Sequence, residues 1–251
     1  MIILGTKVHN LTLPQALKRA EGFLDDGKQH YIVTPNPEIV LKARNDQEYS
    51  AILNRADLSI PDGIGLLVAS RILYGARRAL KTRITGVDFM QEFIGRVRFG
   101  ATRSVLLLGG KNEVAKRAAA CLQNRFPHMS FYALENPDNA HLDFVINEII
   151  QPDCICVGLG APRQERWINE NLSKYPTVKI AMGVGGSFDF ISGRISRAPF
   201  WIRAAGMEWF WRFTVQPWRI HRAFNAAIIF PLEVMKEKLK LSTVGKSLIV
   251  L

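Results

Sequence analysis

The sequence predicts an α/β fold, a Rossmann-like parallel sheet with helices on both faces, followed by a helical C-terminal appendage. Three observations predict it. Apolar runs of three to five residues alternate with stretches of helical period through residues 31–186, as strands joined by crossover helices do. Several runs close on glycine turns, at 109–110, 158–160 and 183–186, where a parallel strand hands over to the next element. Near residue 194 the alternation stops, and arginine and tryptophan crowd together. At about 150 residues per domain, a chain of 251 residues fits an α/β domain over 1–193 with an appendage over 194–251.

Taken in order, 31–34 reads as a strand and 37–56 as one helix with Ile39, Val40, Ala43, Ala51 and Ile52 at its apolar positions. A short strand at 58–60 meets the turn Pro61-Asp62-Gly63, and 64–73 reads as a buried helix. The basic, glycine-interrupted stretch 74–85 reads as a loop before a helix over 86–98. A strand at 104–108 then leads through Gly109 and Gly110 into a helix over 113–126. A strand at 130–132, a helix over 141–150, a strand at 153–157, a helix over 163–172 and a strand at 179–182 complete the series.

Composition excludes several classes. With 48% hydrophobic and 22% charged residues the chain is neither disordered nor a disulfide scaffold. Cys154 and Cys156 fall in an apolar strand and read as buried, reduced thiols, with Cys121 as the odd third. The N-terminus lacks a signal-peptide pattern, and the apolar stretch 223–230 is far too short to cross a bilayer of about 30 Å. The expectation is a cytoplasmic protein that touches a membrane without crossing it. Its formal charge of +11 calls for a polyanionic partner. Between Arg194 and Arg222 there are six arginines, one acid (Glu208) and the tryptophans 201, 209, 211 and 218.

In parallel sheets ligands bind beyond the carboxyl ends of the strands, so the polar residues there are the candidates. Thr34 and Asn36 stand in Thr-Pro-Asn-Pro-Glu, placed to grip sugar hydroxyls; a helix N-cap is the other role open to Asn36. Asp62 sits between strand and helix, suited either to capping or to general base catalysis in a crevice. The turns at Gly109 and Gly110 and at Gly158-Leu-Gly160-Ala-Pro162 offer backbone amides to a phosphate. The latter only half matches a dinucleotide fingerprint, because Arg163 fills the third glycine position. Neither a Walker A motif nor an Asp-x-Asp pair is present. A bound diphosphate therefore needs cations such as Arg83. Gln164 opens a helix past a strand and is a donor candidate, although glutamine is ordinary in a first turn.

In combination, Thr34-Pro-Asn-Pro-Glu, Pro61-Asp-Gly-Ile-Gly, Arg83-Ile-Thr-Gly-Val-Asp88, Leu107-Leu-Gly-Gly110, Gly158-Leu-Gly-Ala-Pro-Arg-Gln-Glu165, Gly183-Val-Gly-Gly186 and Glu208-Trp209 with Arg212, Pro217, Arg219 and Arg222 resemble the WecG/TagA/CpsF glycosyltransferases, over roughly residues 1–225. The resemblance implies a GT-E type fold and inverting transfer, without metal or cofactor, from a UDP-sugar to a polyprenyl-diphosphate-linked sugar in cell-surface polysaccharide synthesis. N-acetylmannosamine, its uronic acid or glucose is the sugar moved. It implies Asp62 as base, Thr34, Asn36, Arg83 and Gln164 as substrate contacts, and Gly109, Gly110, Gly160, Pro162, Gly185 and Gly186 as nucleotide-binding positions. Arg212, Arg219 and Arg222 would meet the lipid diphosphate or the membrane. The implied setting is peripheral, on the anionic inner face of the bacterial plasma membrane, with a homo-oligomer left open. A nucleotide-dependent oxidoreductase would share the fold but needs a better pyrophosphate fingerprint, and a nucleic-acid-binding protein would share the charge, its aromatic-basic interleaving suited to single strands.

Overall fold

The computed structural model describes residues 1–97, 103–137, 141–217 and 220–247. A hairpin of two-residue strands, β1 (Ile2–Ile3) and β2 (Thr6–Lys7), precedes helix α1 (Leu13–Phe23). The strands β3 (His30–Val33), β4 (Leu58–Ser59), β5 (Ser104–Gly109), β6 (Ser130–Leu134), β7 (Cys154–Gly158) and β8 (Ile180–Gly183) form one sheet in the order β4-β3-β8-β7-β5-β6. Every neighbouring pair is parallel. Central strands of such a sheet are covered on both faces, which is why Val105 to Leu108 and Cys154 to Val157 are unbroken apolar runs and all buried.

The connecting helices are α2 (Pro37–Arg44), α3 (Gln47–Arg55), α4 (Ile64–Tyr74), α5 (Gly86–Arg96), α6 (Val114–Arg125), α7 (Leu142–Phe144), α8 (Arg163–Asn171) and α9 (Ser187–Ile191). One core layer joins α1, α5 and α6 to the sheet through Leu17, Phe89, Ala118, Leu107 and Met182. On the other face Trp167, Ile168 and Tyr175 pack on Leu106, Leu108 and Ile155. After β5 the chain moves outward to β6, and after β7 it moves the opposite way to β8. The crevice between β5 and β7 is therefore a topological switch point.

The structure corrects four local expectations. Residues 37–56 are two helices, because the Asp46 side chain accepts from the Tyr49 amide at 2.9 Å and starts a new helix. The helix after Gly109 and Gly110 begins only at Val114, behind a turn in which Asn112 and Glu113 have positive φ. Within 74–85 there is a 3-10 turn at Ala76–Arg78. The stretch read as a helix over 141–150 is α7 followed by a π turn, Val145–Ile150. The thiol reading holds: all three cysteines are free, with Cys154 and Cys156 buried.

Beyond α9 come α10 (Phe200–Ala204), α11 (Glu208–Val215), α12 (Ile220–Phe224), a π turn (Asn225–Ile229) and α13 (Phe230–Ser247). The helix does not stop at Pro231. A proline has no amide to donate, and the π turn immediately before it absorbs the change in register. α13 returns to the body, burying Phe230 and Val234 against Val40, Leu66, Ala69 and Leu73, while Arg44 pairs with Glu233 at 3.3 Å. Elsewhere the appendage exposes large apolar side chains, with Phe200 at 76% and Trp201 at 71%. Among the described residues no helix is long and apolar enough to cross a membrane.

Candidate active site

A cavity of about 480 Å3 opens between the carboxyl ends of β4, β3 and β8, helix α4 and the appendage helices. Loops leaving that edge of the sheet supply its floor. After β3, Thr34 donates to the Gly183 carbonyl at 3.4 Å and packs on Gly86. Asn36 borders the cavity and also caps α2, its Oδ1 accepting from the Ile39 amide at 3.0 Å. The capping role of Asn36 is thus met, and the residue also stands at the cavity. Its Nδ2 has no partner among the described residues.

Asp62 lines this floor. Its amide donates to the Pro35 carbonyl at 2.9 Å, tying the loop after β4 to the loop after β3, and the Gly86 amide donates to its carboxylate at 3.4 Å. The N-cap of α4 is Gly63, at a φ of +98°, so the capping reading of Asp62 falls away. Burial raises the Asp62 pKa from its ordinary 3.8 to about 6, helped by the charge of Glu208 and opposed by the Gly86 amide, Arg83 and Arg212. The result is a carboxylate that is ionised at neutral pH and more basic than a surface aspartate.

Arg83 also lines the cavity, and its Nη2 donates to the Arg203 carbonyl at 2.8 Å. Its neighbours Arg77, Arg78 and Lys81 are exposed and lie outside the lining. After β8, Gly186 and Ser187 complete the floor. Gln164 is not at the surface of the cavity but buried behind it. Its Oε1 accepts from the Gly185 amide at 2.9 Å, and its Nε2 donates to Glu165, which also accepts from the Tyr49 hydroxyl at 3.0 Å. Both ends of the Gln164 amide are thereby committed, and it braces the Gly185 turn.

The appendage supplies the roof. Arg212 donates to the Gly186 carbonyl at 3.1 Å, with its guanidinium carbon 4.3 Å from the centre of the Phe190 ring. The contact needs a glycine, since a Cβ on Gly186 would stand 2.7 Å from Arg212 Nη2. Desolvation by burial and the charge of Arg222 lower the Arg212 pKa, and its buried Nε has no partner among the described residues. Arg222 lines the cavity too, donating through Nε to Glu38. Burial would raise the Glu38 carboxyl, but Arg222 and Lys42 outweigh it and hold the group below its usual range. Arg197 ties the start of the appendage to α5, bonding Asp88 and, at 3.1 Å, Glu208. Arg219 lies outside the described residues.

The glycine turns at the switch point adjoin this cavity without lining it. Gly109 and Gly158 are register partners, and the Gly110 amide donates to the Gly158 carbonyl at 3.3 Å. Gly109 has a φ of +101°, which favours glycine, and a Cβ on Gly158 would meet the Phe188 ring at 2.5 Å, so backbone conformation at the first and close packing at the second call for glycine. Gly160, with a φ of +76°, leads into the cis Ala161-Pro162 bond, and an added Cβ there would meet open space. Glu38, Phe190 and Ser187 are lining residues that sequence reasoning did not single out. For Glu38 a signal existed, because it lies two residues beyond Asn36 in the Thr-Pro-Asn-Pro-Glu run.

A sequence model described as the glycosyl transferase WecG/TagA/CpsF family matches residues 1–244. A protein of Staphylococcus aureus (strain MRSA252), named N-acetylglucosaminyldiphosphoundecaprenol N-acetyl-beta-D-mannosaminyltransferase, is 34% identical over 95% of this chain and 93% of its own. A protein of the same name from Bacillus subtilis (strain 168) is 31% identical over 92% of this chain and 91% of its own.

Proposed function

The chain belongs to the WecG/TagA/CpsF glycosyltransferase family, and from that premise we propose that it moves N-acetylmannosamine from a UDP-sugar to a polyprenyl-diphosphate-linked N-acetylglucosamine. The acceptor class follows the names of the two relatives. One observation carries the chemistry: Asp62, raised to about 6, shares a cavity with Arg83, Arg212 and Arg222. A base and a set of cations are what a single displacement on a sugar diphosphate requires.

In that displacement the acceptor hydroxyl gives its proton to Asp62 as its oxygen attacks the anomeric carbon. The bond from that carbon to the UDP oxygen breaks from the opposite face, and its electron pair leaves with UDP. Configuration inverts. Negative charge growing on the leaving diphosphate is met by Arg83 and Arg212, donors fixed before reaction and so most effective against charge that develops in the transition state. No metal is assigned a step. Thr34 and Asn36 hold sugar hydroxyls, while Gln164 acts one layer back by fixing the Gly185 turn. Gly109, Gly110 and Gly160 with Pro162, at the switch point, are assigned to the nucleotide end through their tight turns.

The appendage brings the enzyme to its lipid acceptor at the inner face of the plasma membrane. Exposed Phe200 and Trp201 suit the interface, and each nearby arginine adds about 1 kcal/mol against an anionic leaflet. Incubating the full chain with a panel of UDP-sugars and a polyprenyl-diphosphate-linked N-acetylglucosamine tests the reading. Transfer from UDP-N-acetylmannosamine above the other donors supports it. Transfer from UDP-glucose or the uronic acid instead keeps the enzyme class and replaces the sugar, and no transfer from any UDP-sugar rejects it.

A further inference from the structure

The active-site cavity has a second half that sugar and diphosphate chemistry leaves unused. From the floor at Asp62 it continues along α4, where Ile64, Val68 and Ile72 line it. Spaced four apart, these three form one stripe on the helix, about 12 Å long at 1.5 Å per residue. Ala223, Ala226 and Phe230 face it from the appendage. The alanines leave room where a longer side chain would fill the gap, and Phe230, at 1% exposure, closes the inner side by packing into the body. None of these six side chains carries a hydrogen-bonding group, so the trough has nothing to offer a sugar. It does expose apolar surface, with Ile64 at 38% and Val68 at 50%.

Polarity changes at one place. Arg222 bonds Glu38, whose neighbour Pro37 packs on Gly63 and Gly65 at the start of α4 beside Asp62, so the charged groups gather at that end and the stripe runs away from them to Ile72. A ligand that matches this must be an anion at one end and a hydrocarbon at the other, in that order. We propose that the trough between α4 and the appendage is a binding site for the first isoprene units of the acceptor, with its diphosphate at Arg222. The site reads the lipid as well as the sugar, and the enzyme takes hold of the prenyl chain individually rather than meeting it only as part of a membrane surface. This inference rests on the acceptor class proposed above.

Binding of farnesyl diphosphate and of inorganic diphosphate to the full chain, measured by calorimetry without detergent or vesicles, tests it apart from sugar transfer. Burying apolar carbons predicts that the farnesyl compound binds at least about tenfold more tightly. Ala226→Trp from one wall and Val68→Trp from the other each fill the trough and should bring that ratio to within about twofold, with the inorganic diphosphate affinity as internal reference. Val68 is half exposed, so its variant tests the trough even where Ala226→Trp fails to fold. Equal affinity for the two compounds in the wild type overturns the proposal, as does a tenfold ratio that survives in a folded Val68→Trp protein. A chain that transfers sugar but shows no prenyl gain refutes the trough alone; one that shows the gain but transfers no sugar refutes the function and keeps the trough.

Discussion

The Arg212 guanidinium carbon lies over the Phe190 ring, 4.3 Å from its centre, and Nη2 donates to the Gly186 carbonyl. An appendage side chain is thus seated on the loop that follows β8. The cavity is lined neither by the α/β body nor by the appendage alone, and the contact explains why Gly186 carries no Cβ.

Gly186→Ala is the sharpest test of that seating. Its φ of −86° suits any residue, so the backbone needs no glycine, and the atom a methyl would strike is the end of a movable side chain. Expected are a melting temperature within about 2 °C of wild type and a kcat lowered by about 10- to 100-fold, less than the roughly 10²- to 10³-fold lost when such a donor is removed outright. Steady-state kinetics with a thermal melt checks both.

Asp62→Asn should stabilise the fold. The folded pKa of about 6 exceeds the ordinary 3.8, so between those values the folded state holds a proton that the unfolded state has released. Ionising Asp62 therefore costs stability, increasingly as pH rises through that window and fully above it. Asparagine removes the cost. Melting curves should show the variant more stable than wild type at pH 7.5, with the difference shrinking toward pH 4.

Phe230→Ala tests the docking of α13. The ring is fully buried against α4, and truncating such a residue costs about 3–5 kcal/mol. Denaturant unfolding reads this directly. The same burial means that removing the whole appendage would bare part of the core.

Membrane contact is better tested at the surface. Phe200 and Trp201 are the most exposed large apolar side chains described, so changing both to serine should leave unfolding unchanged. Sedimentation with anionic vesicles should fall about tenfold or more, consistent with two side chains worth about 1.5–3 kcal/mol each when buried.

Much of this was legible in the sequence, for identifiable reasons. Strands buried on both faces read as apolar runs, and their glycine turns mark the edge where the cavity forms; Thr34, Asn36, Asp62, Arg83, Arg212 and Arg222 all border it. What was missed depends on tertiary contact. β1 and β2 have two residues each and no period to detect. The break at Asp46 rests on one side-chain cap. Gln164 follows a turn as ligand contacts do, yet only the fold reveals that Glu165 and Gly185 occupy both ends of its amide. Phe190 became a site residue because Arg212 stacks on it from twenty-two positions away in the sequence.

The proposed mechanism turns on Asp62 taking the proton from an acceptor hydroxyl during transfer from a UDP-sugar. The pH dependence of kcat/KM for transfer to a polyprenyl-diphosphate-linked N-acetylglucosamine, in wild type and in Asp62→Asn, reads that step. The wild-type rate should rise with pH to a plateau with a midpoint near 6, and the folded variant should turn over about 10²- to 10⁴-fold more slowly, without that midpoint. A folded Asp62→Asn protein that keeps the wild-type rate, or the same midpoint, would mean that Asp62 is not the base.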